Sequence, residues 1–350
     1  MRRFQAGCFA AAGFLGGCGG EPQSSAASSP VGLVDIALTM PHYVNRPVHR
    51  DRNRSSMSPN AKASNVLLYV GDQDADDVFV YNFKSGKYVG TLTGFEEPYG
   101  ECVDAKGDIY VANFDGGNAF EYVHGGTKVL QTYDSGGEPI GCLIDSKGDV
   151  AVTSFIPSEV TVFAKSNPNK GTTYRDNSCE FLWTMGYDDK GNLVGDCENA
   201  SGTVEYRGLL SGAKSITPLA ASGFAINYAG GTTWDGKYLV LADQKAGGNF
   251  QTGLVRANLK GTTLTYVSET VLSDDCYNNY VDVIDPFIVG ETNTLFYGKQ
   301  GDAIVGANFW CAYEGSGKVD YWHYPEGELP YKHLASSPAN SYGAGVSFAP

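Results

Sequence analysis

Aspartate, asparagine and serine recur at one kind of place in this chain, and glutamate at another. Asp72, Asn113, Ser154, Asp196, Asp243 and Asn308 end the second strand of successive segments. Glu101 and Glu180 fall on or beside the first strand, and Glu138 just precedes one. Oxygen donors of these types suit a hard divalent cation, and a buried carboxylate suits proton transfer. The same side chains also close the turns that follow strands. The regular interval of 41 residues between Asp72, Asn113 and Ser154 is what turn closure predicts, so turn chemistry is the leading reading.

A hydrolase or lyase also calls for a general base, commonly histidine. From residue 65 onward the chain offers His124, His323 and His333, and the first two, in VHGGTK and WHYPEG, fall toward the outer edge of their segments. No GxSxG elbow, Walker loop or HExxH occurs. GYDDKGN at 186–192 lacks the Asp-x-Asp-x-Asp-Gly order of a calcium loop and reads as a hairpin turn.

What must position these residues is a repeat. PYGECVDAKGDIYVANF at 98–114 returns at 139–155 as PIGCLIDSKGDVAVTSF, and Asp104, Asp145, Asp188 and Asp235 mark the same turn in four copies. Each copy reads as strand, Lys-Gly turn, strand, Gly-rich turn, strand, Gly turn, strand. A period of about 40 to 45 residues with several short strands is that of a propeller blade. The expected fold is therefore all-β: a six-bladed β-propeller, with seven blades as the runner-up. The C-terminal SYGAGVSFAP resembles the start of a unit, while the first unit opens at its second strand with VLLYVGD. Ring closure by strand Gly343 to Ala349 follows, because it removes the exposed sheet edges. A further first strand is expected near Val281 to Val289.

These units resemble the NHL and YVTN class of bacterial propeller repeats, in the broad group that includes streptogramin lyase and gluconolactonase-like propellers. The resemblance covers residues from about Asn65 to Pro350, and its motif specifies blades rather than a reaction. It implies ligand binding at the mouth of the central channel. A gluconolactonase-like site would use Glu101, Asn113, Asp196 and Asp243 around one divalent cation such as calcium, acting as a metal-dependent lactonase or lyase. The competing expectation, which the residues favour, is a binding or scaffold module for a peptide, glycan or protein ligand, with no cofactor required.

Composition limits the partners. Of 350 residues 42 % are hydrophobic, enough for one large core, and the formal net charge of −14 excludes nucleic acid as the main partner. Arg2 and Arg3 precede a short apolar run and Leu15-Gly16-Gly17-Cys18, then a Ser/Ala/Pro tract. That order resembles a bacterial lipoprotein signal peptide, with Cys18 lipidated, residues 1–18 as signal, 19–64 as disordered linker and 65–350 as propeller. HYVNRPVHRDRNR at 42–54 reads as a solvated linker. The expected protein is an exported monomer in the cell envelope or periplasm, touching the membrane only through its anchor. Cys102, Cys142, Cys179, Cys197, Cys276 and Cys311 show no zinc spacing and read as disulfides, paired by proximity in that order.

Overall fold

A computed structural model describes residues 54–62, 66–246, 251–273, 286–289, 302–308, 318–334, 338 and 341–349. The chain divides into two units, Met1–Pro41 and His42–Pro350, and every described residue belongs to the second. Cys18, Cys276 and Cys311 lie outside the described residues.

The described elements are strands. β1 (Ser56–Met57), β2 (Val66–Asp72), β3 (Asp77–Asn82) and β4 (Tyr88–Thr93) come first. β5 (Pro98–Val103), β6 (Ile109–Asn113), β7 (Asn118–Tyr122) and β8 (Val129–Asp134) make blade 2, and β9 (Pro139–Ile144), β10 (Val150–Ser154), β11 (Glu159–Phe163) and β12 (Gly171–Arg175) make blade 3. In blade 4 the first strand is split into β13 (Phe181–Leu182) and β14 (Gly186–Tyr187), followed by β15 (Leu193–Glu198), β16 (Val204–Leu209) and β17 (Thr217–Ser222). Blade 5 holds β18 (Thr232–Trp234), β19 (Leu239–Ala246), β20 (Gln251–Lys260) and β21 (Thr263–Val271). Blade 6 holds β22 (Phe287–Val289), β23 (Asp302–Asn308), β24 (Lys318–Tyr324) and β25 (Gly327–His333). β26 (Ser341–Phe348) returns to pair antiparallel with β2, so blade 1 takes its innermost strand from the C-terminal end, as the sequence anticipates. β1, which precedes the expected start at residue 65, adds an outermost strand on β4.

The turns explain the repeat. Asp104 Oδ1 accepts the N–H groups of Lys106 and Asp108 at 2.9 Å each, and Asp145 and Asp188 do the same in their blades. Gly107, at φ 85°, occupies the left-handed region that the turn requires and that side chains resist.

A blade is covered on its faces only by its neighbours, and the apolar clusters sit accordingly. Leu67 and Ile109 join blades 1 and 2, Tyr110 and Phe163 join 2 and 3, and Ala151 and Leu193 join 3 and 4. Val194 and Leu241 join 4 and 5, Val240 and Trp322 join 5 and 6, and Val319 and Val346 bring blade 6 back to blade 1. The innermost strands touch in the order β26, β5, β9, β14, β18, β22, and β22 touches β26. The protein is an all-β propeller with six such units among the described residues. Close approach of inner strands calls for glycine: a Cβ at Gly343 would lie 2.0 Å from the Tyr99 carbonyl oxygen.

Two disulfides pair as the sequence suggests. Cys102–Cys142 ties β5 to β9 across a blade interface with Cα atoms 5.6 Å apart, and Cys179–Cys197 ties the approach to blade 4 onto β15. The first closes a loop with a sequence separation of 40. Replacing both of its cysteines by alanine is expected to lower unfolding free energy by about 2–4 kcal/mol, measured by denaturant titration under oxidising conditions.

His124 departs from its expected place. It is buried, and its Nδ1 lies 2.7 Å from Ser347 Oγ on the innermost strand β26. The Ser347 hydroxyl hydrogen is directed to the Gly107 carbonyl, so His124 donates. The turn that carries His124 folds under the neighbouring blade, where it reinforces closure. His323 stacks on Tyr331, and His333 Nδ1 lies 2.6 Å from the buried Asp320 carboxylate.

Candidate functional site

The pairing registers fix which residues are equivalent. Ile109 opposes Val103, Val150 opposes Ile144, Leu193 opposes Tyr187, Leu239 opposes Trp234 and Leu68 opposes Val346. Counting four residues along the second strand of each blade gives Asn113, Ser154, Cys197, Asp243 and Asp72. Asp196 therefore does not belong to the ring in which the sequence placed it. Its place is taken by Cys197.

Three members of that ring do one job, anchoring the segment that enters their own blade. Asn113 Oδ1 accepts the Glu96 N–H at 2.6 Å, Ser154 Oγ accepts the Glu138 N–H at 2.8 Å, and the Asp243 carboxylate accepts the Asn227 and Tyr228 N–H groups at 3.1 Å. In blade 4 the Cys179–Cys197 disulfide replaces this hydrogen bond by a covalent one. Asp72 Oδ1 accepts the Ala75 N–H at 3.0 Å in its own turn.

Of the residues considered as ligands, Asn113 and Asp243 thus have side-chain oxygens engaged by backbone. Glu101 is buried on β5, its carboxylate lying against Gly71 and Gly343 on the blade 1 side. Asp196 and Asp243 belong to neighbouring blades 4 and 5 and act on one another electrostatically. Among the described residues no three His, Cys, Asp or Glu side chains are grouped as a metal ion needs.

A different constellation stands at the mouth. The residue after each ring position is Phe114, Phe155, Glu198, Gln244 or Gln73. The residue four before the reference point on each inner strand is Tyr99, Ile140, Trp183, Gly230 or Tyr342. Ile140, Trp183 and Ala229 pack with Tyr99, Phe114 and Phe155 in one cluster contributed by successive inner strands and strand ends. Tyr99 stacks on Phe114 at 5.6 Å and meets Tyr342 at 5.0 Å; Phe155 stacks on Phe181 at 4.9 Å and meets the Trp183 edge at 5.2 Å. Tyr99, Phe114, Phe155, Phe181 and Tyr342 are only half-buried, so the aromatic surface reaches solvent.

Beside these rings lie two carboxylates. Asp196 and Glu198 are two residues apart on β15 and project from the same face of the strand. Asp196 is fully buried at a position held elsewhere by Gly71, Ala112, Thr153 and Ala242, and its Oδ2 lies 3.5 Å from the Gly230 N–H. Asp196 Oδ1, Glu198 Oε1, Thr232 Oγ1 and Trp183 Nε1 are buried and find no hydrogen-bond partner among the described residues. The Trp183 indole N–H faces the Glu198 carboxylate without closing a hydrogen bond, and the Ala229 N–H faces it as well. Burial holds the Asp196 carboxyl well above the ordinary range, with Glu198 and Asp243 adding to the rise. Burial also pushes Glu198 up to about 7, with Glu180 adding to it and the Ala229 and Trp183 N–H groups opposing.

A carboxyl raised in the folded state binds its proton more tightly there than in the unfolded chain. Its contribution to stability is therefore complete below the unfolded value and is lost as pH rises through about 7. The expected result is that Glu198→Gln gains stability relative to the wild type between pH 4.5 and 7.5, by up to about 3 kcal/mol, with no further change above. Denaturant midpoints of the two proteins across that range check it; parallel curves would show an ordinary Glu198.

The sequence matches no family model, and no curated protein is similar to it in sequence. Solved structures are similar in fold. A chain of a nidogen/laminin complex superposes with a TM-score of 0.55 at 14 % identity, covering 81 % of this chain and 99 % of that one. A protein of unknown function from Bacteroides caccae gives 0.57 at 14 % identity, with 81 % and 99 % covered. Kuenenia stuttgartiensis hydrazine synthase gives 0.50 at 13 % identity, with 80 % of each chain covered. At these identities the likeness establishes the propeller and nothing about its task.

Proposed function

We propose that the protein is an exported propeller that binds a polypeptide or glycan ligand at the mouth formed by blades 1 to 5. The observation that carries this reading is the half-buried aromatic surface of Tyr99, Phe114, Phe155, Phe181 and Tyr342 beside the Asp196–Glu198 pair. Aromatic rings with one face accessible supply large contact area at low entropic cost, and buried polar atoms beside them give orientation. A similarly folded chain takes part in the nidogen/laminin complex, so the fold is compatible with protein recognition. Two disulfides, one of them joining two blades, suit an oxidising compartment. On this reading Cys18 carries the lipid and residues 19–53 tether the propeller, in which β1 and Ala61 already take part, to the membrane surface.

The test compares immobilised wild type with the Phe114→Ser, Phe155→Ser double variant against exported polypeptides and cell-wall glycans. A ligand retained by the wild type and lost by the variant is expected; equal retention by both would place binding elsewhere and refute the reading. For the anchor, Cys18→Ala is expected to move the protein from the membrane to the soluble fraction. Identical partitioning of the two would remove the lipid.

A further inference from the structure

We propose that the blade 4 and blade 5 side of this mouth recognises a primary ammonium group, carried by a lysyl side chain of a polypeptide or by a free polyamine. The inference rests on the binding reading above and names the chemistry of the ligand.

Three observations carry it. The first is position. Blade 4 departs from the repeat twice on one strand face: Asp196 stands where the other blades have Gly71, Ala112, Thr153 and Ala242, and Glu198 stands where blades 2 and 3 have Phe114 and Phe155. A buried carboxylate in a slot built for a small residue serves no packing purpose, and leaving it without a partner destabilises the fold.

The second is the set of unpartnered atoms. Thr232 holds the repeat position of Glu101, whose carboxylate lies against Gly71, the counterpart of Asp196. The Thr232 hydroxyl thus belongs to the same blade interface as Asp196, and the Thr232 N–H donates to Thr184 O at 2.8 Å, next to Trp183. The Trp183 backbone N–H donates to Asp196 O at 3.2 Å, setting the two residues opposite one another, and the indole faces Glu198. Asp196 Oδ1, Glu198 Oε1 and Thr232 Oγ1 are three acceptors, the number of N–H donors on an ammonium group. Trp183 and Phe155 stand beside them with ring surface for the ligand's methylene stem and for cation–π attraction.

The third is charge. The charges that weigh most on the pair are carboxylates: Glu198 and Asp243 on Asp196, and Glu180 on Glu198. The chain as a whole carries a formal net charge of −14. Such a field concentrates cations and speeds their arrival at low salt. A metal ion is a poorer fit, because two carboxylates and a hydroxyl fall short of the oxygen set that calcium takes. Entry of the ammonium group displaces the proton held on Glu198 to solvent, so charge is balanced in the complex.

The experiment is isothermal titration of the full chain at pH 6.5 and 7.5 with three probes: spermidine, an N-acetyl, C-amide tri-lysine peptide, and the same peptide acetylated on every side chain. Saturable binding of an ammonium probe is expected, with none for the acetylated peptide, and with proton release at pH 6.5 read from the dependence of heat on buffer. Spermidine alone binding identifies a free polyamine; tighter peptide binding identifies a polypeptide. Glu198→Gln and Thr232→Val, both close in shape to the native residues, should each weaken binding about tenfold without lowering the melting temperature. Asp196→Asn should do the same if it folds; if it does not, the other two variants decide. Absence of saturable binding at millimolar concentration, equal binding of the acetylated peptide, or equal affinity in Glu198→Gln overturns the proposal. If both ammonium probes fail while the Phe114 and Phe155 comparison still distinguishes a ligand, the binding reading stands and this inference falls.

Discussion

A chain ending at Leu334 is expected to lose cooperative unfolding altogether. The missing segment includes β26, which supplies the innermost strand of blade 1 and pairs with β2 from Val66↔Phe348 to Asp72↔Ser341. Without it the β2 backbone becomes an exposed edge, and Leu68, Val70, Val319 and Tyr321 lose the cover of Ala344 and Val346. Burial of each Leu or Val side chain contributes about 1.5–3 kcal/mol. A domain of ordinary stability has about 5–15 kcal/mol in total. The loss extends further, because β26 also touches β5 and β22 on either side and carries Ser347, the partner of His124. Calorimetry reads the result: a broad or absent transition is expected, and a melt equal to that of the full chain would refute closure by β26.

Arg207→Ala should be the most damaging single substitution away from the ring closure, at about 3–5 kcal/mol. Arg207 is 2 % exposed on β16 and binds three carboxylate or hydroxyl partners. Its Nε donates to Asp176, and its Nη2 donates to Glu205 at 2.6 Å and to Ser178 at 3.2 Å; Nη1 reaches the Tyr206 carbonyl at 3.1 Å. Burial alone would raise the Asp176 carboxyl, yet hydrogen bonds from Ser178 and the Arg207 charge hold it below its ordinary value. Removing the guanidinium leaves that carboxylate in a confined site without its counter-charge. A fall in melting temperature on the order of 10 °C is expected. The double variant Arg207→Met, Asp176→Leu should recover most of it, since the confined carboxylate goes with its counter-charge while Glu205, 41 % exposed, and Ser178 turn to solvent; a single variant within 1 °C of the wild type would contradict this reading.

The repeat was legible because its turns are chemical. Asp104, Asp145 and Asp188 each hold two backbone N–H groups, so the Asp-x-x-Gly spacing survives where strand residues drift. Closure was legible for the same reason, since Ser341–Phe348 repeats the inner-strand pattern at the far end of the chain. The site was not. Residue type matches Asp196 to Asn113, although counting from Asp188 places Cys197 there, one residue later, and a one-residue shift turns a side chain to the opposite face. Glu198 and Trp183 fall opposite Phe114 and Tyr99 under the same count, a signal present in the sequence but hidden by the change of residue type. Which blade face Asp196 meets, and that Gly230 lies beside it, depends on packing between units that no strand pattern encodes. His124 shows the same limit: its partner Ser347 lies 223 residues away.

The Glu198 side chain reports most directly on whether the mouth holds a desolvated carboxylate. A carbon-13 NMR titration of the Glu198 carboxyl, assigned by its absence in Glu198→Gln, is expected to show a midpoint near 7 in the free protein. A midpoint in the ordinary glutamate range, about 4.3, would mean that the group is solvated or already paired, and would contradict the claim.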